Sequence, residues 1–243
     1  MAGHPVEERQ ALEKMRERFK NEDYPEKHSS RSCFALNDYI FYKYLRMAGF
    51  NVETATKNLC DLLNWRRVIR PEELTWADKS LIRETKFMGK TDKGHPIMYS
   101  EIRHWQPSAY TADSYLKSRV VEMEEARKDM ARDGWKVDRI IVINDMRDFS
   151  LKQHCTFAGY QLSRVLMFFF GQAYAEGVET IYLLNCPLAF RGFWATVMKF
   201  TSSEVLSRIK FRNNLDELKR ITPEWELYTE LCVDILCLTW MGD

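Results

Sequence analysis

Between Val137 and Pro187 the apolar positions change their period twice. Ile140 to Ile143 is an unbroken β-branched run. Leu151 to Tyr174 is apolar at helical spacing, and Ile181 to Leu184 is a second short apolar run. Short continuous runs of this kind mark strands covered on both faces. The stretch between them is long enough for the crossover that parallel strands require, and such crossovers are right-handed. The pattern therefore predicts a βαβ unit with a single helix from Leu151 to Tyr174. Both strands run into polar turn residues, Asn144-Asp145-Met146-Arg147-Asp148 and Asn185-Cys186-Pro187. Ligands in open α/β sheets sit beyond the carboxyl ends of the strands, so the site is expected there.

The flanking segments complete the pattern. Glu7 to Phe19 carries strong helix formers, and Lys20 to Ser32 is polar and reads as a linker. Leu36 to Met47 is apolar at helical spacing, with Gly49 as its stop. Asn51 caps a helix over Val52 to Ile69, and Pro71 opens a further helical piece, Glu72 to Arg83, with Leu74, Leu81 and Ile82 inward. Lys86 to Thr91 and Ile97 to Trp105 read as strands joined by the turn Asp92-Lys93-Gly94. Thr111 to Asp133 reads as a helix ended by Gly134. Leu188 to Phe200 is a markedly apolar helix, followed by a cap at Thr201 to Glu204 and a last strand at Ile209 to Phe211. Leu215 to Ile221 and Pro223 to Trp240 read as helices. The fold class is α/β: an all-helical N-terminal part, residues 1–75, and then a mixed, mostly parallel sheet with a βαβ crossover in residues 76–243.

Composition narrows the function more than the fold. The chain has 243 residues, 45% of them hydrophobic, and a formal net charge of +1. A nucleic-acid binder needs a strong basic surplus, so no nucleic-acid partner is expected. The six cysteines show no CxxC pair and read as reduced core thiols. Met1 to Gln10 is polar and charged, which predicts no secretory leader and a cytoplasmic protein. The longest apolar stretch, Val165 to Ala175, is too short to span a bilayer.

No GxSxG, P-loop, HExxH or dinucleotide fingerprint occurs. His4, His28, His95, His104 and His154 are scattered, and Asp145 reads as capping the turn after its strand rather than as a catalytic acid. No enzyme activity, cofactor or metal is therefore expected. The positive signal is apolar excess. Phe190, Phe193, Trp194, Val197, Met198 and Phe200 spread beyond one stripe of ordinary width. Leu166 to Phe170 go round the whole circumference of theirs. Either these helices are wholly buried, or one side lines a cavity.

Five segments resemble the CRAL-TRIO family, and within it the fungal phosphatidylinositol/phosphatidylcholine transfer proteins. Tyr44 to Val52 is similar to the family's Phe-Leu-Arg-Ala-Arg-Lys-Phe-Asp-Val stretch, and Trp65-Arg66-Arg67 to its Trp-Arg signature. Asp92 to Ile97 matches its strand-turn motif. Asn144 to Ser150 matches its Met-Asp-Leu-Lys-Gly-Ile-Ser segment, and Tyr174-Ala175-Glu176 with Ile181 to Pro187 its second-strand motif. Two departures stand out: Ala48 and Gly49 replace a basic pair, and Trp225-Glu226-Leu227-Tyr228 replaces a terminal Tyr-Gly-Gly.

The resemblance implies a hydrophobic lipid pocket closed by a gate helix, Leu188 to Phe200, that dips into a membrane. Phe168, Phe170, Phe190, Phe193, Trp194, Val197 and Met198 are its pocket and gate residues. Glu176 falls at the family's inositol-contacting acid, Arg208 at its phosphate-contacting base, and Ser150 at a phosphocholine contact. The expected partners are a phospholipid or similar hydrophobic ligand and, transiently, a membrane surface; the protein is expected to be monomeric. Loss of the basic pair predicts only weak preference for phosphatidylinositol over phosphatidylcholine. The alternative is a scaffold module with a collapsed pocket, for which Phe168, Phe170, Trp194 and Met198 are bulky enough.

Overall fold

A computed structural model describes residues 6–30, 32, 34–174 and 177–212. The helices expected at Leu215 to Ile221 and Pro223 to Trp240, the segment Trp225 to Tyr228, and Glu176 lie outside them. The chain divides into two compact units, Met1–Thr75 and Trp76–Asp243.

The first unit is helical: α1 (Val6–Phe19), α2 (Asp38–Met47) and α3 (Val52–Ile69). Asn37 and Asn51 cap α2 and α3 by accepting the backbone N–H groups of Ile40 and Thr54. Gly49 takes the left-handed conformation just past α2. Met15, Phe19, Phe41, Leu45, Leu59 and Leu63 are among the residues of its core. The buried Arg66 guanidinium lies 4.3 Å from the centroid of the Phe34 ring.

The second unit holds one five-stranded sheet: β1 (Lys86–Lys90), β2 (Pro96–Glu101), β3 (Ile140–Asp145), β4 (Val178–Leu184) and β5 (Ile209–Arg212), in the order 1-2-3-4-5. β1 pairs antiparallel with β2 through the Asp92-Lys93-Gly94 turn, and the other pairs are parallel. The connections are α4 (Ala112–Arg132), then α5 (Leu151–His154) with α6 (Phe157–Phe168), then α7 (Phe190–Val197) with α8 (Ser203–Arg208). Each joins neighbouring parallel strands. Right-handed crossovers in that order place every helix on the same face of the sheet.

Three expectations are corrected. The helix expected over Glu72 to Arg83 is absent: the chain from Pro71 to Thr85 is turns and irregular backbone. Its N–H groups are taken by α4 side chains: Ile82 donates to Ser118 Oγ at 3.1 Å, and Thr85 to Glu122 Oε1 at 3.2 Å. Asp78 accepts the Ser80 N–H locally at 2.9 Å, a turn contact that competes with helix. Ile82 consequently faces solvent. β2 ends at Glu101, where a 3₁₀ turn over Ile102–His104 carries the chain to the buried Trp105.

The helix expected from Leu151 to Tyr174 is three pieces. Ser150 caps α5 and Thr156 caps α6, so the chain restarts its hydrogen bonding at Phe157. After Phe168 the last turn widens into a π-helical segment, Phe169–Ala173, closed by Tyr174 N–H on Phe169 C=O at 2.8 Å.

Candidate lipid-binding site

Period-2 alternation gives the sheet two apolar faces. Met88, Ile97, Ile141, Ile143, Tyr182 and Leu184 form a core on one. The helix-side face carries Met98, Ser100, Ile140, Asn144, Ile181, Leu183 and Ile209, and these floor a cavity walled by α4, α6, the π segment and α7. The cavity volume is about 140 Å³. One water needs roughly 10–15 Å³ on that measure, so the space suits a chain-like guest.

Its wall on the α7 side is aromatic. Phe190, Phe193 and Val197 are buried, Trp194 is half-buried, and all four line the cavity. Phe149 fixes this group from the loop after β3: its ring centroid lies 5.2 Å from that of Phe190 and 5.4 Å from that of Phe193. Tyr160 stacks against Phe193 at 5.0 Å, and Trp194 meets Phe211 edge-on at 5.7 Å. The π turn lets Leu166, Met167, Phe169 and Phe170 all reach the cavity while Phe168 turns outward. Straight α-helix would spread five successive residues over the full circumference.

The wall on the α4 side is polar. Arg119, only 7% exposed, lies 3.4 Å from Glu84 Oε2 and 3.1 Å from Glu122 Oε1. Glu122 is 1% exposed and also accepts the Thr85 N–H. Tyr110 donates its hydroxyl to Glu84, and Tyr115 lies under the guanidinium, 5.2 Å from ring centroid to Cζ. Burial raises the Glu84 carboxyl above the ordinary range, against the pull of Arg119. Burial alone would lower the Arg119 pKa, but Glu122, Tyr115 and Glu84 together hold it above its usual value. Burial, reinforced by Glu84, raises both tyrosines.

Of the residues expected from sequence, Phe170, Phe190, Phe193, Trp194 and Val197 come together around the cavity. Phe168 and Met198 do not line it and are more than a third exposed. The four bulky side chains that were candidates to close a collapsed pocket therefore leave it open. Ser150 caps α5 and Arg208 pairs with Glu204 at 2.7 Å; neither lines the cavity. Asp145 accepts the Arg147 backbone N–H at 3.0 Å, closing the turn after β3, and also holds the Asn185 amide at 3.0 Å. His154 is buried between the rings of Trp105 and Phe149, and its Nδ1 accepts the Ser150 N–H at 2.9 Å.

The polar wall is what sequence reasoning missed. Tyr115, Arg119 and Glu122 recur at i, i+4 and i+7, one helix stripe, beside the apolar positions of α4. Charged residues on an inward stripe were the available signal. Among the described residues no group of three His, Cys, Asp or Glu is placed to hold a metal, and no helix is long and apolar enough to cross a membrane.

Residues 85–231 match the model of the CRAL/TRIO domain. A CRAL-TRIO domain-containing protein of Schizosaccharomyces pombe is 24% identical over 213 residues, covering 80% of this chain and 46% of that protein. The phosphatidylinositol/phosphatidylcholine transfer protein SFH7 of Arabidopsis thaliana is 24% identical over 218 residues, covering 79% of this chain and 40% of its own. The chain thus spans less than half the length of these curated relatives. Among solved structures, Sfh5 superposes with a TM-score of 0.72 at 16% identity, over 90% of this chain and 85% of that one. That likeness concerns the fold.

Proposed function

The chain belongs to the CRAL/TRIO domain family, and on that premise we propose that it binds one phospholipid, phosphatidylinositol or phosphatidylcholine, and carries it between membranes. The observation that carries this reading is the cavity between the sheet and the helices α4, α6 and α7, open and lined mainly by apolar side chains.

The physical case is one of matched solvents. Each buried CH₂ is worth about 0.8 kcal/mol, so a two-chain lipid leaves a bilayer for water only at great cost. A carrier must present an apolar interior at the membrane surface itself. Phe190, Phe193, Trp194 and Val197 supply that interior. Leu188, Met198, Phe200 and Phe211 are exposed on and around the same helix and form a rim suited to entering the interface. The contact is transient, made by a cytoplasmic monomer with no chemistry performed on the lipid.

The headgroup reading keeps Glu176 for inositol hydroxyls, Arg208 for phosphate and Ser150 for phosphocholine. Arg208 is held by Glu204, so a phosphate at this point takes the place of that carboxylate. Arg suits such an exchange because its fork geometry serves either anion.

Transfer of labelled phosphatidylinositol and phosphatidylcholine between vesicles tests the proposal. The protein is expected to accelerate both, and Arg208→Ala to slow both. No acceleration of either lipid would overturn it.

A further inference from the structure

The cavity wall holds buried polar atoms without hydrogen-bond partners on its α4 side. Among the described residues, Arg119 Nε and Nη2 and Glu122 Oε2 are buried without a hydrogen-bond partner, and both side chains line the cavity. The Arg119–Glu122 ion pair at 3.1 Å leaves Nη2 outside hydrogen-bond geometry. Glu122 Oε1 is already engaged by the Thr85 N–H at 3.2 Å, so Oε2 is the carboxylate oxygen left without a partner. Buried polar groups are nearly always satisfied, and an exception in a cavity wall calls for a guest.

The character of the guest follows from charge. Two carboxylates face one guanidinium, so the wall is formally −1 with both ionised. It becomes neutral only when Glu84 takes a proton, the direction in which burial pushes it. An anion such as phosphate or a fatty carboxylate is repelled or at best not attracted. A cation would have to displace Arg119. What remains is an uncharged group that donates to Glu122 and accepts from an N–H.

We infer that the α4 side of the cavity is a subsite for a hydroxyl group of the bound amphiphile, which donates to Glu122 Oε2 and accepts from the Arg119 guanidinium. This rests on the reading of the cavity as a lipid site and deepens it. An inositol ring and a simple long-chain alcohol both offer this chemistry.

The test measures binding of 1-dodecanol, its methyl ether and dodecanoate to the full chain, with uptake of phosphatidylcholine and phosphatidylinositol from vesicles alongside. The alcohol should bind about tenfold more tightly than the ether, which accepts but cannot donate, since one hydrogen bond at about 1.4 kcal/mol is a factor of ten. Dodecanoate should bind most weakly. Glu122→Gln should shrink the alcohol's advantage and leave the ether unchanged. A phosphatidylinositol preference removed by Glu122→Gln would assign the hydroxyl to an inositol ring; an advantage for dodecanol alone would assign it to a simple alcohol. Equal binding of alcohol and ether, with phosphatidylcholine still taken up, would overturn the subsite and spare the lipid site. No binding of any probe or lipid would overturn both.

Discussion

The carbonyl oxygen of His154 stands 1.9 Å from the point where a Cβ on Gly159 would lie. That approach is what lets α6 start against the end of α5 and directs the chain into the long crossover. The opposing atom is backbone, so a side chain cannot be accommodated by a rotamer change. Gly159→Ala is expected to destabilise the protein by roughly 3 kcal/mol, the upper end of what overpacking costs. Urea unfolding of the variant checks this; an unchanged midpoint would mean that the two helices join differently.

His154 itself should make stability depend on pH. Its pKa is lowered, first by burial, with the nearby carbonyls of Trp105 and Ile102 opposing. The neutral ring also accepts the Ser150 N–H, a role that protonation would end. The native state therefore resists a proton that the unfolded chain accepts below about pH 6.5. The stabilisation is complete above that value and is lost as pH falls through it toward the depressed native pKa. At pH 5.5 the loss from this group is at most about 1.4 kcal/mol. Comparing melting at pH 7.5 and 5.5 for the native chain and His154→Gln should show a smaller shift in the variant.

The buried trio on the cavity wall should respond asymmetrically to substitution. Arg119→Met leaves Glu84 and Glu122 facing each other with no counter-charge and should cost roughly 3–5 kcal/mol. Adding Glu84→Gln and Glu122→Gln to that variant removes the uncompensated charge and should recover much of the loss. Chemical denaturation of the single and triple variants reads this directly. A triple variant weaker than the single one would show that the carboxylates serve the fold on their own.

Two residues on α7 should separate transfer from folding. Phe193 is buried against Phe149, Tyr160 and Phe190, so Phe193→Ser should destabilise by about 3 kcal/mol or more. Trp194 is half-buried, lines the cavity and touches Phe211. Trp194→Ser should slow lipid transfer between vesicles several-fold with a much smaller change in stability. Equal effects of both on melting would make α7 an ordinary core helix.

Much of this was legible in the sequence because period and caps report local physics. The β-branched run Ile140 to Ile143 became β3, and Asn51 and Ser202 cap the helices that follow them. Phe190, Phe193, Trp194 and Val197 reached one wall because helical spacing alone puts them together. The misses arose where tertiary partners override spacing. Glu72 to Arg83 has helix-like apolar positions, but Ser118 takes the N–H of Ile82, and Glu122 that of Thr85 just beyond. The Leu151 to Tyr174 stretch hides a second cap, Thr156, and a glycine that the His154 carbonyl explains. Arg119 and Glu122 drew no reading from the sequence, because one sequence does not show which side of a charged helix faces a cavity.

Native mass spectrometry of the full chain purified from cells tests the central claim most directly. The account predicts a population heavier than the polypeptide by the mass of one lipid, which shifts to the mass of phosphatidylcholine after incubation with phosphatidylcholine vesicles. A single mass equal to the bare polypeptide, before and after the vesicles, would contradict it.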